Sequence, residues 1–171
     1  CRITLETNSG IDELARPTGG DQVWLRHRKA GDETWGAPIA VTAGKGDIMR
    51  CAVAVDGSNR VWVFYSDRRG DSFSIYARSH DGQKLGEEMS ITNGRHNDLS
   101  PVAVTDSAGR VWLAWQGAET TFFRIYASRQ EERGFSKPFV VNEGMKRNSW
   151  SPAIGATKEN GGRVAIAWDG Y

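Results

Sequence analysis

The chain has 171 residues, 39% hydrophobic and 25% charged, with 22 basic against 21 acidic side chains, the size and make-up of about one ordinary domain. A formal charge of +1 gives no electrostatic reason to expect nucleic acid or an anionic membrane surface as a partner, and no apolar run approaches the roughly 20 residues of a membrane span. Twenty Gly and seven Trp, with few helix-like stretches, indicate short aromatic strands between tight turns, an all-β chain.

The chain repeats with a period of 50 residues, and such periodicity is read before any single element. Val61-Trp62 returns as Val111-Trp112, and Ile75-Tyr76-Ala77 as Ile125-Tyr126-Ala127. Val41-Thr42-Ala43-Gly44 returns as Ile91-Thr92-Asn93-Gly94 and as Val141-Asn142-Glu143-Gly144. Trp35, Leu85 and Phe135 hold one register.

The first unit, residues 1–50, opens on a strand-like Arg2-Ile3-Thr4-Leu5, but Ile11-Asp12-Glu13-Leu14 stands where an apolar second strand is expected. The second, 51–100, reads as strands at Cys51–Val55, Val61–Tyr65, Phe73–Ser79 and Glu87–Thr92, with turns at 56–60 and 80–83 and a loop at Ser66–Asp71. Asp and Gly in those turns suit the dihedrals of a hairpin. The third unit, 101–150, repeats the scheme, and 151–171 supplies two strands more. Val61-Trp62-Val63-Phe64-Tyr65 and Val111-Trp112-Leu113-Ala114-Trp115 are apolar on both faces, so each needs cover above and below.

Four-stranded antiparallel units of this length, each needing a neighbour on both faces, define β-propeller blades. The chain holds about three and a half of them, where propellers have about four to eight. The expectation is therefore a piece of a ring of six to eight blades in a longer polypeptide. The alternative is a homodimer of half rings. Trp24, Trp62 and Trp112 are expected to pack between blades.

Ile91-Thr92, Asn97-Asp98-Leu99-Ser100-Pro101, Asp106-Ser107-Ala108-Gly109-Arg110-Val111-Trp112 and Phe123-Arg124-Ile125-Tyr126 together resemble the TolB-like β-propeller repeat. Ser66 to Tyr76, followed by Asp81-Gly82, fits the same pattern. That resemblance implies a binding or scaffolding module of a larger secreted or periplasmic bacterial protein. Its partners would be the remaining blades or fused domains of the same polypeptide, and a protein or glycan ligand. Fold alone does not select an activity.

If first strands line the axis, one rim gathers the loops between blades and those joining second to third strands. It collects Asp47, Arg68, Arg69, His96, Asp98, Glu119, Arg147, Trp150 and Asp169, a mixture suited to a polar or glycan ligand. Asp98 can equally cap a turn and the arginines can solvate a surface. Trp150 is read as a loop aromatic able to stack on a ligand.

A sialidase-like or other propeller glycoside hydrolase is the first alternative, since Phe123-Arg124-Ile125-Tyr126 is similar to the arginine-bearing strand of sialidases. Arg124, however, stands where the preceding unit has Ser74, and Asp106 lies three residues before Gly109 where the aspartate box of sialidases has two. Hydrolysis would need a paired acid and base, or a tyrosine with a carboxylate partner; no catalytic residue is assigned. A multivalent lectin is the second alternative, and would carry equivalent aromatic and arginine pairs in successive units. His27, His80 and His96 are dispersed and read as surface groups, and no metal or cofactor is expected. Cys1 and Cys51 could form one bridge; two separate half-buried thiols at equivalent repeat positions is the reading favoured.

Overall fold

The computed structural model describes residues 2–4, 19–118, 121–159 and 161–171. The strands are β1 (Arg2–Thr4), β2 (Gln22–Leu25), β3 (Ile39–Ala40), β4 (Ile48–Val55), β5 (Val61–Arg69), β6 (Ser72–His80), β7 (Met89–Ser90), β8 (Asn97–Thr105), β9 (Val111–Ala118), β10 (Phe123–Arg129), β11 (Phe139–Val140), β12 (Ser149–Ala156) and β13 (Val164–Gly170). They form separate antiparallel sheets ordered β1-β2-β3, β4-β5-β6-β7, β11-β10-β9-β8 and β12-β13. Two four-stranded meanders of one design, flanked by partial sheets, make this an all-β propeller. No helix among the described residues could cross a membrane.

The doubly apolar strands find cover on both sides. Along β5, Val63 and Tyr65 pack with Val23, Leu25, Val41 and Ile48 toward the first sheet. Trp62 and Phe64 pack with Val111, Leu113, Trp115 and Tyr126 toward the third. Period-2 alternation thus divides one strand between two neighbours. Phe135 meets the rings of Trp62 and Phe64 edge-on at 5.3 and 5.5 Å, a favoured aromatic geometry.

The three tryptophans expected between blades have different fates. Trp62 is buried, Trp112 is half-buried and Trp24 is exposed. Trp62 is covered by the whole of the next sheet, whereas the sheet after Trp112 has only β12 and β13 among the described residues. The loop expected over Ser66–Asp71 is also corrected: β5 runs to Arg69, β6 starts at Ser72, and only Gly70 and Asp71 turn the chain, with Gly70 at φ +72°. In the first unit the described strands number three, and residues 11–14 lie outside the described residues.

The turns between first and second strands repeat a side-chain network. Asp56 accepts the backbone N–H groups of Ser58 and Arg60, the Arg60 guanidinium, the Trp62 indole N–H and the Gln130 amide. Asp106 does the same with Ala108, Arg110 and Trp112. Burial pushes the Asp56 carboxyl up, but these donors outweigh it and hold the group at about 2. The Asp-x-x-x-Arg-x-Trp pattern is a turn device that ties each hairpin to the indole on its own second strand.

Two sequence expectations are overturned. Cys51, half-buried on β4, is disulfide-bonded, and no described cysteine is free. Innermost strands are where segments remote in sequence converge, which spacing along the chain conceals. His80 is buried rather than a surface group, with its ring 5.1 Å from that of His27. Its Nδ1 accepts the Gly82 N–H, which fixes the tautomer.

Desolvation and the neighbouring His27 lower the His80 pKa, with exposed Asp81 opposing. A depressed histidine contributes stability that is present above its unfolded pKa, near 6.5, and lost as pH falls through the folded value. Urea midpoints should therefore drop between pH 7.5 and 5.5 in the wild type, and drop less in His80→Phe, after subtraction of each protein's own midpoint at pH 7.5.

Candidate functional site

The expected rim is built. First strands begin there, second strands end there, and the loops after β7 and β11 return to it. The geometry nonetheless separates its residues into those that hold blades together and those left facing solvent.

Arg69 belongs to the first group. Its guanidinium forms a two-pronged pair with Glu88 at 2.7 and 2.9 Å, its Nε donates to Asp67 at 2.9 Å, and its plane lies 3.7 Å from the centre of the Tyr76 ring. Tyr65 donates to the same Glu88 at 2.6 Å. The hydrogen bond from Arg69 holds Glu88 below the usual carboxylate range, and burial and Glu88 push the Tyr65 phenol up. This guanidinium is not left for a ligand. Glu88 was not singled out in the sequence, because it lies 19 residues from Arg69 and carries no motif.

Asp98 is also structural, although not as a turn cap. It lies within β8, is 3% exposed, and accepts the Trp115 indole N–H at 2.9 Å. Burial pushes its carboxyl up, against hydrogen bonds from Thr92 and Trp115 and the charge of His96. The cross-strand neighbour is Gly117, where a Cβ would stand 2.8 Å from the Asp98 carboxylate and 2.7 Å from the Tyr126 ring. At the matching pair in the preceding sheet, Ile48 faces Asp67. Asp67 is buried and accepts the Asp47 N–H at 3.1 Å. One buried carboxylate per sheet is kept at this level, carried by the second strand in one and by the first in the other.

His96 stacks on Tyr126 at 6.1 Å, and Tyr126 on Trp115 at 6.0 Å. Arg68 and Asp47 face each other at 3.9 Å with about half of each side chain exposed, a pair of small energetic weight. Arg147 and Asp169 are exposed. Glu119 lies outside the described residues. Trp150 is not in a loop: it is paired with Asp169 in β12, stacks on Phe123 at 4.3 Å, and is half-buried with its indole N–H lacking a hydrogen-bond partner. Its matching positions, Met49 and Leu99, are aliphatic, so the aromatic contact is not repeated from sheet to sheet.

Below the rim, β4, β8 and β12 lie side by side and line the axis as expected. Together they enclose a groove of about 610 Å³, walled by Arg50–Val53, Ser100–Ala103 and Ser151–Ile154. Its described lining residues include no carboxylate, amide or aromatic side chain.

The backbone is similar to that of a solved structure described as the Hadza microbial sialidase Hz136. The similarity has a TM-score of 0.58 at 11% sequence identity, over 90% of this chain and 40% of that one. The likeness is one of fold, a β-propeller. No protein-family model and no curated protein matches the sequence. The sialidase-type likeness is one of backbone architecture, and this chain spans 40% of that relative's length.

Proposed function

We propose that the chain is a non-catalytic binding or scaffolding part of a TolB-like, sialidase-type propeller, within a larger secreted or periplasmic bacterial protein. It contacts a protein or glycan through the rim that carries Asp47, Arg68, Arg147, Trp150 and Asp169. The rest of the ring, or domains fused to it, would complete the sheets flanking β1 and β13; a homodimer of half rings is the other arrangement.

One observation carries this reading: the two rim groups with the most perturbed surroundings are engaged within the fold. Arg69 is held by Glu88 and Asp67, Asp98 sits beneath Trp115, and among the described residues no carboxylate lines the axial groove. Acid and base catalysis needs two such groups converging on one reacting bond. What remains accessible on the rim is charge of both signs beside a half-buried indole.

A fragment of a glycoside hydrolase is the second reading. The fold likeness favours it, and so does the raised carboxyl of Asp98, since a carboxyl pushed upward is how general acids are made. The multivalent lectin loses support, because Trp150 has no aromatic counterpart at positions 49 and 99.

The test is to give the natural polypeptide containing this chain a panel of fluorogenic sialosides and other glycosides, and to probe it in parallel on a glycan array. The expected result is no turnover, with saturable binding weakened about tenfold or more in Arg147→Ala or Trp150→Ala. Turnover that disappears in Asp98→Asn would overturn the binding reading in favour of the hydrolase.

A further inference from the structure

The first strands β4, β8 and β12 slip in register against their second strands at the same level. The slips fall between Ile48 and Cys51, Leu99 and Val102, and Trp150 and Ala153. A bulge of this kind frees a residue from the ladder and re-aims its side chain, a device concentrated beside binding sites. The residues within these three bulges include Arg50, Ser100 and Ser151, and all three line the axial groove. Ser100 and Ser151 hold φ +55° and +48°, a conformation that side chains other than glycine's rarely adopt. Each is followed by a buried proline, whose ring restricts the backbone of the serine before it.

Among the described residues, Arg50 is the one charged side chain of the groove lining. Arg60, Arg69 and Arg110 are all engaged with carboxylates, whereas Arg50 makes no ion pair among the described residues. The rest of the lining is Cys51, Ala52, Val53, two prolines, Val102, Ala103, Ala153 and Ile154 beside the two serines. A sugar ring calls for an aromatic platform or for carboxylate and amide groups to meet its hydroxyls. Among the described residues the groove has neither. Its chemistry there is one guanidinium and two hydroxyls set in small aliphatic walls beside the disulfide-bonded Cys51.

We infer that this groove is a binding site for an aliphatic peptide ending in a free carboxylate. Arg50 takes the carboxylate through paired N–H donors, Ser100 and Ser151 supply hydroxyl donors, and Ala52, Val102, Ala103 and Ile154 receive small aliphatic side chains. Terminal-carboxylate capture is an established mode of peptide recognition; here a guanidinium takes the place of the backbone N–H groups that commonly serve. The site is distinct from the rim and goes beyond the reading given for it.

The test is calorimetric titration of the full chain with the tetrapeptide Ala-Val-Ala-Val as free acid and as C-terminal amide, at low and high salt. The free acid should bind about tenfold or more tightly than the amide, with the preference shrinking as salt rises. Arg50→Ala should erase the preference, Arg50→Lys should keep part of it, and Ser100→Gly should weaken it while relaxing the backbone. Circular dichroism checks that each variant folds.

Equal binding of acid and amide, or an undiminished preference in Arg50→Ala, would overturn the site. N-acetylneuraminate binding more tightly than the peptide, and losing that binding in Arg50→Ala, would overturn the peptide as occupant in favour of an acidic sugar. Glycoside turnover alongside intact acid-over-amide discrimination would remove the non-catalytic reading and leave this site. Rim-dependent glycan binding with no peptide discrimination would do the reverse.

Discussion

Asp56→Ala should lower the free energy of unfolding by about 3–5 kcal/mol, the range for removing one partner of a buried charged network. The carboxylate is 2% exposed and accepts from five donors on Ser58, Arg60, Trp62 and Gln130. Two of these donors, the Trp62 indole and the Gln130 amide, are themselves buried, and without the acceptor they retain their desolvation cost. Gln130 also belongs to the next sheet, so the substitution loosens a contact between blades as well as a turn. Asp106→Ala, which lacks a donor equivalent to Gln130, should cost less, about 1–3 kcal/mol. Chemical denaturation of the two variants measures the difference. Asp56 gives the sign of the acid response too. Its folded pKa is depressed to about 2, so its contribution is complete above the ordinary carboxylate range and disappears as pH falls through about 2.

Trp115→Ala should be the most damaging of the apolar truncations, at about 3–5 kcal/mol. Trp115 is fully buried between β8 and its neighbours, stacks on Tyr126 and donates to Asp98. The truncation therefore opens a cavity and strips a buried carboxylate of a donor in one step. Trp115→Phe separates the two effects, since it restores much of the volume but not the N–H. About 1–3 kcal/mol is expected to remain. Trp112→Ala is the contrast. That ring is half-buried, and its loss should cost under about 2 kcal/mol in equilibrium unfolding. Equal costs at 112 and 115 would mean that the half-buried face of Trp112 is covered in solution.

The blade architecture was legible because it is written twice. Val61-Trp62 and Val111-Trp112 repeat at a fixed interval, and a strand apolar on both faces has few ways to be satisfied. The placement of charges was legible only in part. Arg69 and Asp98 stand on the rim as their positions imply, but their partners, Glu88 and Trp115, lie 19 and 17 residues away and share no motif with them. Pairings that depend on a strand register cannot be read from spacing until the register is known.

Trp150 reads as a loop residue in the sequence, yet it lies in β12, beside the Asn148 carboxamide that receives the Phe123 N–H. Trp62 and Trp112 share the local run Arg-Val-Trp; the extent of the adjacent described sheet helps to distinguish them. One signal was present and went unread. The Ser-Pro pair at 100–101 recurs at 151–152, and a repeated residue that precedes proline at an innermost strand marks a backbone irregularity aimed at the axis.

The turns that house Asp56 and Asp106 also touch each other. The Gly57 N–H donates to the Gly109 carbonyl at 2.7 Å, and a Cβ on Gly109 would stand 2.7 Å from the Gly57 Cα. Here two petals abut through main chain alone, like hubs of adjacent spokes with no washer between them. The closest approach of these blades is thereby set by peptide geometry. A single methyl at either glycine would act as a shim, and a wheel assembled from such wedges would gather that small error into a visible gap at its circumference.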